Sequence, residues 1–154
     1  MSRFSKPVLS VQDVIQSLHK AVYYQDIELI LKLWLDEDNI SYIDVNGKIA
    51  KGAAQIKYAF DEIQQNNVIP LYHEIVNTNI HSLIGGMLVE TIEAVKYNPA
   101  ENNADYYIHA SYILLQTHIG WKFLRIHFSK ANDQDVSYEN CIDSNLIKIK
   151  IGLH

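Results

Sequence analysis

The apolar residues of the first third of the chain recur at helical spacing. Val11, Val14, Ile15, Leu18 and Val22 fall on one face of a 3.6-residue repeat, with Gln12, Gln16, His19 and Lys20 off it. Ser10 and Asp13 have the spacing of a capping box, with Asp in place of the usual Glu, and Pro7 disfavours an earlier start; a helix is expected from there to residue 25. Asp26 can cap a second helix in which Ile27, Ile30, Leu31, Trp34 and Leu35 share a face. Leu29 and Leu33 make the remainder apolar too, so this helix needs cover on more than one side. The acidic run Asp36, Glu37 and Asp38 opposes the dipole at its C-terminal end and helps to stop it. A short strand follows, with Ile40, Tyr42 and Asp44 on one face. The pair Asn46-Gly47 then predicts a tight hairpin with positive φ at both turn residues. Gly52 and Ala53 lead into a third helix, with Ile56, Ala59, Phe60 and Ile63 inside and a polar stretch before Pro70 closing it.

From Leu71 the period changes to 2. Four long β-rich stretches, 71–80, 87–97, 106–117 and 121–129, are separated by Gly85-Gly86, a polar loop and Gly120, which reads as an antiparallel meander. Helices first and strands later predict an α+β fold, with three N-terminal helices folded over one face of a curved antiparallel sheet. Residues 1–130 read as the domain and 131–154 as a C-terminal extension, in which the Ile/Lys alternation of 146–151 predicts an added edge strand.

Composition narrows the function classes. With 154 residues, 48% of them hydrophobic, and a net charge of -5 without a basic stripe, the chain suits one globular domain and not a nucleic-acid binder. A single cysteine, Cys141, permits no internal disulfide and no thiolate cluster, which fits a reducing cytoplasm. Neither a signal peptide nor a membrane span is legible. His73, His81, His109, His118 and His127 lack the spacing of a helical metal pair, so no metal and no cofactor is expected.

The order of elements, together with Trp34, the acidic run, Gly47, Gly52 and the closing run 120–129 with its Trp121, His127 and Ser129, resembles the SnoaL-like branch of the nuclear transport factor 2-like superfamily. The resemblance covers roughly residues 8–130 and implies a cone-shaped fold with an internal pocket, used by ketosteroid isomerases, polyketide cyclases, small dehydratases, ligand-binding modules and the assembly domain of a calmodulin-dependent kinase. It also implies which side chains point inward: Leu18, Trp34, Tyr42, Asp44, Phe60, Glu90, Tyr112, Ile126 and Phe128. Asp44 falls where the isomerases carry a general base, but the oxyanion tyrosine position is Leu18, and no Asp occupies the third position on the 106–117 strand. A second histidine common before His127 is Ile126 here. The pocket arginines of the kinase domain are replaced by Glu90, Tyr112 and Phe128, which argues against an anionic ligand.

Two functions of different classes stay open on this reading. One is an isomerase or lyase acting on an uncharged, largely apolar molecule, with Asp44 as base assisted by Tyr42 and with Trp34, Phe60, Glu90, Tyr112, Ile126, Phe128 and Leu18 around the ligand. The other is a non-catalytic ligand-binding or oligomer-assembly module. Asp44 is expected to be poorly solvated, hence with a raised pKa. Met87, Val89, Ile113, Leu115, Trp121 and Phe123 are expected to alternate with the inward set, which would give the sheet a second apolar face and predicts a homodimer through it.

Overall fold

The computed structural model describes residues 10–66 and 70–132; Cys141 and the expected strand at 146–151 lie outside them. Helix α1 (Val11–Tyr23) starts where the capping box places it, with reciprocal Ser10–Asp13 bonds of 3.2 Å. Its buried face is Val11, Val14, Ile15, Leu18, Ala21 and also His19. The expectation that His19 lies off this face is corrected by the spacing itself, since Ile15, Leu18, His19 and Val22 are i, i+3, i+4 and i+7.

Helix α2 (Ile27–Lys32) is capped by Asp26, whose Oδ1 accepts from the Leu29 N–H at 3.1 Å. It stops before Trp34, contrary to the sequence reading. The Leu35 N–H donates to the Phe123 carbonyl and the Phe123 N–H to the Leu33 carbonyl, both at 2.9 Å, so Trp34 bridges Phe123 in parallel. A segment apolar all round gains more from this sheet edge than from a further helical turn.

Strands β1 (Ser41–Ile43) and β2 (Ile49–Lys51) pair with Ile43 opposite Ile49, leaving a five-residue loop instead of a two-residue turn. Within it only Gly47 has positive φ, at +83°. The loop is organised by Asp44, whose Oδ1 accepts from the N–H groups of Asn46 and Lys48, each at 2.9 Å. Helix α3 (Gly52–Asn66) buries Ile56 and Phe60. Strands β3 (Tyr72–Leu83), β4 (Gly86–Lys96), β5 (Tyr106–Thr117) and β6 (Gly120–Ala131) form the expected meander.

β1 then pairs in parallel with β6, Tyr42 opposite Ile126, giving a six-stranded mixed sheet of order β2-β1-β6-β5-β4-β3 in place of a purely antiparallel one. Two register shifts decide which side chains face the helices. In β6 the ladder slips between the Ile113–Arg125 and Leu114–Phe123 pairs, so Leu124 is the extra residue and the inward set passes from Trp121 and Phe123 to Ile126 and Phe128. In β3 the slip falls at Val76, between Ile75 and Asn77.

The expected seam is corrected, by the slip at Leu124 for Trp121 and Phe123 and by the phase of β4 for Met87 and Val89, which share the inner face with Thr91 and Glu93. Phe123 and Val89 are fully buried in the core, and Met87 and Trp121 pack against it. Ile113 and Leu115 alone of the six lie on the outer face, alternating with buried Tyr112 and Leu114. Among the described residues no helix is long and apolar enough to cross a membrane.

Candidate functional site

Between α1, α3 and the sheet lies a cavity of about 340 Å³. Leu18, Val22, Phe60, Ile63, Val95, Ile108 and Phe128 give it apolar walls, and Asp44, Asn46, Lys48, Glu62 and Asn66 stand among its lining residues. Lys48 is the only Lys or Arg among the described lining residues, and its charge is taken by Glu62 at 3.2 Å. Tyr42 stacks on Phe60 with ring centroids 4.8 Å apart. Its phenol is pushed well above the usual value by burial, then by Asp44 and Tyr106, so it stays a hydrogen-bond donor. Tyr106, also on the wall, is pushed up to about 12 by burial, then by Tyr97 and Asp105.

The ionisable centre of the molecule is Glu93, which the sequence reading did not single out. It sits on the inner face of β4 with no solvent exposure. Oε1 lies 2.9 Å from Nδ1 of His73 on β3 and 3.1 Å from Nε2 of His19 on α1. Oε2 accepts from the Thr91 hydroxyl at 2.6 Å and from the Tyr112 hydroxyl of β5. Four donors from four elements thus converge on one carboxylate.

The Tyr112 proton is committed to Glu93, so His19 Nε2, 3.1 Å from that hydroxyl, must donate to it and to Oε1. The two imidazoles stack, with centroids 5.1 Å apart and planes 21° apart. Both rings line the cavity, and both also line a groove of about 770 Å³ between α1 and the start of β3.

Electrostatics fix the protonation pattern. Burial pushes the Glu93 carboxyl up, but the charge and hydrogen bond of His19, then the hydrogen bond of His73, outweigh it and hold the group well below the usual carboxylate range. For His73 burial dominates and lowers the pKa, with the Glu93 hydrogen bond opposing it. Burial, then the Glu93 charge, pushes the Tyr112 phenol far up. The result is a buried carboxylate fully supplied with donors beside a neutral His73. That imidazole gives its Nδ1–H to Glu93 and keeps a free lone pair on Nε2.

Of the expected pocket residues, Leu18, Tyr42, Asp44, Phe60 and Phe128 line the cavity. Tyr112 and Ile126 lie fully buried in the sheet face, Tyr112 serving Glu93. Trp34 packs against Phe123, centroids 5.8 Å apart, and lines a separate surface depression. Glu90 is the clear misplacement: its side chain is half exposed and pairs with His81 at 3.1 Å. Asp44 reaches the cavity, with its Oδ1 accepting two backbone N–H groups of the hairpin. His73 was weighed only as a metal ligand by spacing along the chain. The signals that could have found the site are the i+4 relation of His19 to Ile15 and the common parity of Thr91, Glu93 and Val95 on β4.

Comparison with known proteins agrees with this architecture. The SnoaL-like domain profile matches residues 11–133. No curated protein matches the sequence. A candidate dehydratase of the NTF2-like family from Streptomyces avermitilis superposes with a TM-score of 0.68 at 17% identity, over 79% of this chain and 94% of that one. The CaMKII hub of S. rosetta gives 0.62 at 20%, over 82% and 98%. A candidate scytalone dehydratase from Novosphingobium aromaticivorans gives 0.66 at 13%, over 79% and 82%. At these identities the likeness is one of fold.

Proposed function

Since the chain belongs to the SnoaL-like domain family, we propose that it holds a small, uncharged, largely apolar molecule in the cavity and moves a proton on it, as an isomerase or lyase does, without a cofactor. The base is His73, and Glu93 is the positioning residue that fixes its tautomer and balances the imidazolium formed on proton uptake. One observation carries this reading: a fully buried carboxylate holds the Nδ1–H of an imidazole that lines the cavity. Tyr42 and Tyr106 supply hydroxyl donors on the same wall, where a carbonyl or hydroxyl of the ligand would need them. Asp44 shapes the hairpin at the cavity and is not the base.

A second reading, a non-catalytic pocket or assembly module, draws on the same cluster, because a carboxylate with both oxygens fully engaged also serves as a structural pin. The two separate experimentally. A panel of hydrophobic carbonyl and hydroxyl compounds is screened for binding by thermal shift and then for turnover. In an enzyme, His73→Gln lowers kcat by about 10²–10⁴ with binding retained, and Asp44→Asn leaves kcat within a few-fold. In a binding module His73→Gln changes affinity alone, and loss of turnover in Asp44→Asn but not in His73→Gln would return the base to Asp44.

A further inference from the structure

His19, His73 and Glu93, on three different elements, each offer a ligand atom within 4.8 Å of the other two. Two imidazoles and a carboxylate form a donor set suited to a divalent first-row ion. The carboxylate oxygen already stands 3.1 and 2.9 Å from the two nitrogens, close to the spacing of neighbouring ligands around an ion with bonds of about 2.0–2.2 Å, so an inward tilt of the rings completes the set.

The surroundings are those of a supported site. Thr91 and Tyr112 hold the other carboxylate oxygen and leave Oε1 turned to the nitrogens, the role that outer hydrogen bonds play around metal ligands. Both imidazoles border the inner cavity and the α1–β3 groove, the sides from which an ion would approach the buried carboxylate.

We propose that His19, His73 and Glu93 form a binding site for a divalent transition-metal ion of the Zn²⁺ class. On binding, His19 gives up its Nε2–H proton and keeps the one on Nδ1, and His73 binds in its other tautomer, with its proton on Nε2. Where His73 is the base, as in the function proposed above, this consequence rests on that reading: with the ion on Nδ1 the ring proton occupies Nε2, the very nitrogen that must accept, and metal loading silences the enzyme.

Binding itself is tested without turnover, with Co²⁺ as probe on EDTA-treated whole protein. The expected result is one equivalent bound with visible d–d absorption, Zn²⁺ displacing it, and paramagnetically shifted ring signals from His19 and His73 in the unsubstituted protein. His19→Phe should abolish the absorption, Tyr112→Phe should weaken binding about 10–100-fold, and His81→Ala should change nothing. No absorption at millimolar Co²⁺ with the protein folded, or shifted signals confined to His81 and other surface histidines, overturns the site. Either outcome leaves the base reading standing, because that reading is scored on turnover in metal-free protein.

Discussion

Glu90 and Glu93 sit three residues apart on β4 and meet opposite fates. Strand parity sends Glu90 outward to a solvent-screened contact with His81, whereas Glu93 points at α1 and takes four donors. Removing the inner carboxylate leaves two N–H groups and two hydroxyls without their acceptor, so Glu93→Ala should cost about 3–5 kcal/mol. Glu90→Ala should stay within about 0.5 kcal/mol. Urea denaturation of the two variants measures the contrast, and equal losses would mean that the buried cluster is not what pins α1 to the sheet.

The same cluster sets a pH dependence. His73 has a lowered folded pKa, so the unfolded chain takes up its proton first and stability declines as pH falls below about 6.5. Glu93 has a depressed folded pKa, so its contribution is complete above the unfolded carboxyl pKa of about 4.3 and is lost as pH falls toward the folded value. The groups facing His73 are His19, Glu93 and, through Glu93, Tyr112. In metal-free protein the urea midpoint should therefore fall from pH 7 to 5 and fall further below 4.5, each group adding up to about 1.4 kcal/mol per pH unit where it titrates. A flat profile between pH 7 and 5 would contradict the neutral buried His73.

At the scale of elements, much of the architecture was legible because the chain marks it locally. The capping box fixed the start of α1, the change of period marked the meander, and Gly85, Gly86 and Gly120 punctuated it. Gly86 is there for space as well as turning: an added Cβ would stand 2.8 Å from the Leu114 carbonyl oxygen. What could not be read were interactions between distant segments. The slip at Leu124 depends on how β6 lies against β5, and it turned Trp121 and Phe123 from outer face to core. Likewise α2 ends early because Phe123, ninety residues on, offers its backbone. The helix faces of Leu18 and Phe60 follow from patterns on single elements and the inward placing of Tyr42 and Phe128 came with the family resemblance, while the Glu93 cluster needs three strands and a helix in place before it exists.

For the molecule as a whole, the outer sheet face retains Ile113 and Leu115, with Leu88 opposite Ile113 in the ladder. The homodimer is proposed over this smaller patch. Ile113→Glu would place a charge at its centre and should shift a dimeric mass in light scattering to monomer. An unchanged mass would move any self-association elsewhere.

The parallel pairing of β1 with β6 also orders events during synthesis. Ser41, Tyr42 and Ile43 must wait for Arg125, Ile126 and His127, so the first half of the chain emerges with a strand that has only its short hairpin partner. At a ribosomal rate of about 5–20 residues per second that wait lasts on the order of seconds. In this interval the cone has helices but no closed wall. The pocket is therefore completed only when the strand that carries Phe123, Ile126 and Phe128 pairs in beside β1.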